Sequence, residues 1–247
     1  MLFNSFEFLI YLLPISLLGF YTLGYFKPIL GILWLVLASL YFYGYYKDDY
    51  LFLIILSILV NFYIGSRLSR KPSKKLLICG LIFNISLIGV FKYSGFLLTN
   101  IGFYTNLPII TSASNYALNI TLPLAISFFT FQQIAYLVDM FKNPGTTYGI
   151  IKYAAFVTFF PQLIAGPIVH HKEMLPQFNK KRFLPVIENL VVGFTIFGLG
   201  LFKKVVLADG ISGYASGGFT MVANGGSVTF FQAWFSAFAY SFQLYFD

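Results

Sequence analysis

Runs of roughly twenty residues with almost no charge decide what this chain can fold into, because that is the length a helix needs to cross a hydrocarbon layer of about 30 Å. Phe6 to Phe26, Pro28 to Tyr46, Tyr50 to Gly65 and Leu76 to Tyr93 are such runs, and their charged residues are Glu7 and Lys92 alone. No water reaches a backbone N–H or C=O at that depth, so each segment must close its hydrogen bonds internally, as a helix does. Composition agrees. Hydrophobic residues make up 58% of the chain and charged residues 10%, against about 25% charged in a soluble domain, and the mean hydropathy is +0.79. No shift in composition marks a boundary. The expected fold is an all-α, polytopic integral membrane helix bundle with broken or re-entrant helices, residues 1–247 forming a single transmembrane domain.

The net charge of +8 raises the question of nucleic acid, and its distribution answers it. Arg67, Arg70, Lys71, Lys74 and Lys75 fall in one short loop between two apolar runs, with no acidic residue among them. That is the positive-inside pattern, and anionic lipid headgroups suit it as well. No recognition-helix or RNA-binding motif stands beside it, so no nucleic-acid partner is expected. With this loop in the cytoplasm, the amino terminus and the Lys47–Asp49 turn lie outside. The first run lacks a basic leader and a small-residue cleavage site, so it reads as an uncleaved span. Ser94 to Ile120 carries no charge and is expected outside, as a short interfacial helix with an irregular loop around Asn106–Pro108. A fifth span is expected from Thr121 to Phe141 and a sixth from Leu184 to Leu207. The sixth leaves Lys203 and Lys204 near its outer end, against the positive-inside tendency, with Asp209 as a partner for one of them. Gly210 to Gly226 reads as a flexible Gly- and Ser-rich loop, and Val228 to Phe246 as a helix.

The fifth span and the segment after it break the apolar rule. Gln132, Gln133, Tyr136 and Asp139 lie within the span, where an amide or ionisable group facing lipid costs on the order of 2–3 kcal/mol at the bilayer centre. Gln132, Tyr136 and Asp139 stand at i, i+4 and i+7, one polar stripe on a helix. Pro161, Gly166 and Pro167 then interrupt a second apolar run, Tyr148 to Val169, and broken backbone at membrane depth survives where it is buried in protein or lines a cavity. Two readings fit: interhelical hydrogen bonds that hold a bundle together, or the wall of an intramembrane chamber. On the second, Gln132, Gln133, Tyr136, Gln162, Gly166, Pro167 and His170 are the candidate substrate-binding residues. Asp139 near the cytoplasmic end is either solvated or paired with Lys142.

Self-contained catalytic machinery is not legible. There is no GxSxG elbow, P-loop or HExxH, and Glu173 and Glu188 stand alone instead of forming a carboxylate pair. His170 and His171 adjoin each other without a third ligand nearby, a weak metal signal, and read as interfacial residues or as contacts for an incoming acyl donor. Cys79, the single cysteine, permits no disulfide framework and no cysteine-based metal site. No metal site and no bound cofactor are expected.

LPLAISFFTFQQIAYLVD (Leu122 to Asp139), FFPQLIAGPIV (Phe159 to Val169), GLFKKVVLAD (Gly200 to Asp209) and YSFQLYFD (Tyr240 to Asp247) resemble, in order, successive blocks of the membrane-bound O-acyltransferases. The alginate O-acetyltransferase branch is the nearest, with the D-alanyl-teichoic-acid transfer proteins as cousins. The resemblance implies O-acetyl transfer from a cytoplasmic donor, such as acetyl-CoA or an acyl carrier, to an extracytoplasmic polysaccharide such as alginate or another envelope glycan. It also implies a multi-pass protein of the cell (inner, cytoplasmic) membrane, working with a periplasmic or surface transferase. The family's catalytic histidine lies in an FWxRWH-like segment, which this sequence does not contain; no catalytic residue is therefore assigned, and the chain reads as the front half of an acyltransferase. A transporter or channel, or an inactive truncated homologue, remains the alternative. The topology predicts that Ser73→Cys in a Cys79→Ser background reacts with a membrane-impermeant thiol reagent only after cells are opened. Labelling of intact cells would invert every span.

Overall fold

The computed structural model describes residues 1–45, 48–105, 108–118, 121–145, 147–164, 166, 169–179 and 182–247. They are helical nearly throughout, and no strand occurs among them. Four uninterrupted helices are long and apolar enough to cross a membrane: Glu7–Phe26, Asp48–Arg70, Lys74–Thr105 and Ile187–Ala223. The chain is thus an all-α, multi-pass membrane helix bundle. By contacts it divides into two compact units: Met1 with Leu12–Leu184, and Leu2–Tyr11 with Pro185–Asp247.

In the first unit, α1 (Leu13–Phe26) and α2 (Pro28–Gly44) form a hairpin. Pro28 lies in the first turn of α2, where its missing N–H costs nothing, and it drives Lys27 to an extended φ of −141° and ψ of 115°, which ends α1. The two helices then meet at small residues. A Cβ on Gly31 would come within 2.8 Å of both Gly24 Cα and the Phe20 carbonyl oxygen. The hairpin is followed by α3 (Leu51–Arg70) and α4 (Lys74–Ile88), whose N-cap Ser73 accepts from the Leu76 N–H. A π-helical turn, Gly89–Tyr93, leads from α4 straight into α5 (Ser94–Thr105), and α6 (Pro108–Leu118) packs back against α5.

The central element is α7 (Ile126–Lys142), which packs on both α3 and α4 and starts from Ala125 in a left-handed conformation, φ 54°. Then come α8 (Ile150–Thr158) and α9 (Phe160–Leu163), split at Phe159. Pro161 explains the split, since in a continuous helix its ring would meet the Val157 carbonyl. Phe159 turns out to φ −49°, ψ 101°, and the Phe160 N–H, freed from the ladder, donates to Ser39 Oγ of α2 at 3.4 Å. A short helix, α10 (His171–Met174), and a 3₁₀ turn, Leu175–Asn179, complete this unit.

The second unit contains α11 (Ile187–Phe202), a π-helical turn Lys203–Ala208, α12 (Asp209–Ala223) and α13 (Phe230–Phe246), which starts with a Thr229–Gln232 capping box. Lys204 Nζ reaches Asp209 Oδ1 at 3.1 Å and also Asp247 Oδ1. The expected Lys–Asp209 partnership therefore forms, with a second carboxylate added. A cation within an apolar helix needs such pairing.

Two sequence expectations need correction. Gly210 to Gly226 was expected as a loop, yet residues up to Ala223 are helical, and the sixth span continues through Lys203 and Lys204 to give a helix of 37 residues. The small residues serve contact instead of flexibility: a Cβ on Gly218 would lie 2.2 Å from Ser236 Oγ of α13, the close approach that glycine allows between membrane helices. Likewise Ser94 to Thr105, expected as a short interfacial helix, continues a 32-residue helix, and Pro108, expected in an irregular loop, begins α6, which packs back against it. Asn106 and Leu107 of that expected loop lie outside the described residues.

The close α1–α2 contact predicts that Gly31→Val lowers stability by about 1–3 kcal/mol. Gly89→Ala, with nothing within 4 Å of the added carbon, should stay within about 0.5 kcal/mol. Unfolding in mixed micelles would measure both, and equal effects would refute the contact.

Candidate functional site

The two glutamines of α7 diverge. Gln133 faces α3 and α4, where its Oε1 accepts from Ser57 Oγ at 2.7 Å and from Asn61 Nδ2. Asn61 and Asn84 complete the cluster by exchanging hydrogen bonds at 3.2 and 2.6 Å. All four side chains are buried. In an apolar surround each such bond between membrane helices contributes about 0.6 kcal/mol on average. A Cβ on Gly65 would lie 2.3 Å from Tyr136 Cε1, and one on Gly80 2.6 Å from Leu137 Cδ1. The helices thus close tightly around α7.

Gln132, Tyr136 and Asp139 form the stripe that their spacing implies, and it faces the broken segment. Gln132 Nε2 donates to the Phe156 carbonyl at 3.1 Å. The Tyr136 ring packs against Tyr153, with centroids 4.5 Å apart, and meets His171 edge-on at 5.6 Å. Asp139 Oδ2 lies 3.5 Å from His171 Nδ1 and 3.7 Å from His170 Nδ1. Its carboxylate faces the two imidazoles, and among the described residues no ion pair joins it to Lys142.

His170 and His171 separate sharply despite adjacency. The His170 side chain is 61% exposed and that of His171 1%. Tyr136, Tyr148 and Phe156 surround His171 edge-on, and its Nε2 is buried without a hydrogen-bond partner among the described residues. Burial holds its pKa below the ordinary value, against the opposing pull of Asp139. Among the described residues no three His, Cys, Asp or Glu side chains gather as metal ligands.

Gln162 occupies a different part of the same unit. The break at Phe159–Pro161 forms one wall of a cavity of about 390 Å³, which Ser16, Phe20 and Tyr21 of α1, Leu35 of α2 and Gln177 also line. Ser16 Oγ is buried there without a partner. Gly166 closes the turn beneath, its N–H donating to the Gln162 carbonyl at 3.0 Å. A Cβ on Gly166 would lie 2.6 Å from Gln162 Cα, so glycine is required by space. Pro167 lies outside the described residues. The structure therefore groups Tyr136 and His170 around Asp139, Gln132 beside them, Gln162 with Gly166 at the cavity, and Gln133 on the opposite face of α7. Sequence reasoning named His171 without separating it from His170, and missed Ser16 and the Ser57–Asn61–Asn84 partners of Gln133. The i, i+4 pair Ser57 and Asn61, polar in an otherwise apolar run, was the available signal.

Comparison with known proteins agrees with this architecture. Residues 141–247 match the family model MBOAT, membrane-bound O-acyltransferase family. Among curated relatives, it is 44% identical over its whole length to a peptidoglycan O-acetyltransferase of Helicobacter pylori, covering 51% of that protein. It is 33% identical to the probable alginate O-acetylase AlgI of Pseudomonas aeruginosa, covering 46%, and 32% identical to that of Azotobacter vinelandii, covering 48%; both alignments span the whole chain. The chain thus spans about half the length of the curated relatives it matches. No solved structure matches it.

The burial of His171 has a pH consequence. Below the ordinary histidine value of about 6.5, the unfolded chain binds a proton that the folded one disfavours, so stability is full above that value and falls as pH drops through it. Unfolding midpoints taken at about pH 7.5 and 5.5 should fall more for the unsubstituted protein than for His171→Gln. Equal falls would mean that the imidazole is solvated.

Proposed function

We propose that this chain forms the front half of a membrane O-acyltransferase that moves an acetyl group from a cytoplasmic thioester donor, acetyl-CoA or an acyl carrier, to a hydroxyl of an extracytoplasmic envelope glycan. The thioester C–S bond breaks, an ester C–O bond forms, and the hydroxyl proton passes to a base or to the departing thiolate. The observation that carries this reading is the broken α8–α9 segment. Its freed N–H is held by Ser39 and it walls a cavity of about 390 Å³, while the preceding α8 faces the polar stripe of α7. Discontinuous helices in a membrane protein serve cavities, and the family match and the O-acetyltransferase relatives name the chemistry that such a cavity would house.

On this reading Gln132, Tyr136, Gln162, Gly166 and His170 shape and line the donor or acceptor path. Gln133 belongs to it indirectly, by fixing α7 through its bonds to Ser57 and Asn61. Peptidoglycan is the favoured acceptor, because the relative named for it shares 44% identity, against 33% for a relative named for alginate. The reading places the protein in the cytoplasmic membrane, the basic Arg67–Lys75 segment at the α3–α4 junction inside, and hands the acetyl group outward, with a periplasmic or surface transferase as partner.

Released muropeptides from cells that make the intact protein should carry O-acetyl groups absent from a deletion strain, as read by mass spectrometry. Gln162→Leu should lower that acetylation at least about tenfold, the equivalent of roughly 1.4 kcal/mol, at unchanged membrane abundance. Acetylation that is identical in the deletion strain would sink the peptidoglycan assignment. Full activity of Gln162→Leu would remove the cavity from the path.

A further inference from the structure

We propose that the cleft between the end of α3 and Thr147–Tyr148 is a binding site for a phosphate ester, gripped by the guanidiniums of Arg67 and Arg70. The inference goes beyond acyl transfer and does not depend on it. The cleft has a volume of about 260 Å³, and Tyr63, Ser66, Arg67, Arg70, Thr147 and Tyr148 line it. Arg67 and Arg70 stand at i and i+3, so both forks rise from one face of the helix. Four hydroxyl-bearing side chains, Tyr63, Ser66, Thr147 and Tyr148, share the lining with them. Two planar forks and several hydroxyl donors suit a tetrahedral oxyanion, whose oxygens outnumber those of a carboxylate.

A plainer explanation, that basic residues in a last turn serve the helix dipole, covers less of what is present. Two of the carbonyls at this end already have backbone donors: Lys71 N–H to the Arg67 carbonyl at 2.9 Å, and Gly145 N–H to the Ser69 carbonyl at 2.8 Å. Among the described residues no carboxylate pairs with either guanidinium. Arg67 lies 5.3 Å above the Tyr63 ring, a stacking that orients the fork without neutralising it. Lys71, Lys74 and Lys75 come next in the sequence and raise the local concentration of anions.

The opposite wall is held as well. Tyr148 meets the buried His171 edge-on, centroids 5.6 Å apart. Burial, with the Asp139 charge adding to it, keeps the Tyr148 phenol above its ordinary value, so it retains its proton and can donate. The negative charge nearest this wall, Asp139, is itself faced by the two imidazoles.

The phosphate can belong to a soluble ester or to a lipid headgroup, and two probes separate these. The intact protein, purified in neutral detergent, is titrated calorimetrically with adenosine 3′,5′-bisphosphate. In nanodiscs of phosphatidylcholine and phosphatidylglycerol, native mass spectrometry counts retained phosphatidylglycerol. The Arg67→Gln/Arg70→Gln double variant should weaken one probe at least about tenfold, and Lys74→Gln/Lys75→Gln less than about threefold. Loss confined to the bisphosphate identifies a soluble phosphate ester, and loss confined to phosphatidylglycerol a headgroup. Equal losses in the two double variants, or none in the arginine pair, would overturn the site in favour of diffuse surface charge. Should the arginine variant not remain monodisperse, Thr147→Val with Tyr148→Phe, which leaves every charge in place, must still weaken the same probe by about threefold; no loss overturns the site. Neither readout uses acyl transfer, so the two proposals can fail separately.

Discussion

One face of α7 is bound so that the other can be used. The amide of Gln133 lies among Ser57, Asn61 and Asn84, four buried polar side chains from three helices. In hydrocarbon each of them left alone would carry a desolvation cost of several kcal/mol on the least favourable reference scales. Together they fix the rotation of α7 against α3 and α4 to a single register, because turning the helix by one residue would take Gln133 out of the cluster. Gly65 and Gly80 close the same interface at van der Waals range. The rotation so set leaves Gln132, Tyr136 and Asp139 facing α8 and α10, and the site is a consequence of it.

The break at Phe159 depends on a similar exchange. Ending a helix inside an apolar protein exposes backbone donors and acceptors that must find partners. Here the Phe159 carbonyl takes the N–H groups of Gln162 and Leu163, at 3.0 and 2.9 Å, while Ser39 supplies an acceptor for Phe160. Ser39 Oγ in turn donates to the Leu35 carbonyl at 2.7 Å, so one hydroxyl in α2 serves two backbone groups. The cavity beneath exists because the chain leaves the helical path at this point, where α1 and α2, locked by Gly24 and Gly31, hold its far wall.

Much of this was legible in the residues. Charge-free runs marked all four helices long enough to span, although Pro28–Gly44 and Ile126–Lys142, also expected as spans, are shorter. The i, i+4, i+7 spacing placed Gln132, Tyr136 and Asp139 on one face. Pro161 marked the break, and Asp209 was matched to a neighbouring lysine. What the sequence could not separate were cases where one pattern admits two packings. Glycine and serine in 210–226 suit a loop in water and a close helix contact in lipid, and only the partner, Ser236, decides. His170 and His171 are chemically identical, yet one residue of helix rotation puts the first in solvent and the second among aromatic rings. Gln132 and Gln133 differ in the same way, one facing the Phe156 carbonyl and the other the Asn61 amide.

That separation of the histidines favours one tautomer of His171. Burial among Tyr136, Tyr148 and Phe156 opposes a charged imidazolium, while Asp139 Oδ2 at 3.5 Å from Nδ1 favours a proton on that nitrogen. Both demands are met by the neutral tautomer with hydrogen on Nδ1, which leaves a lone pair on Nε2. Nε2 is the atom that is buried without a partner, so the ring offers an acceptor to whatever hydroxyl or amide comes near.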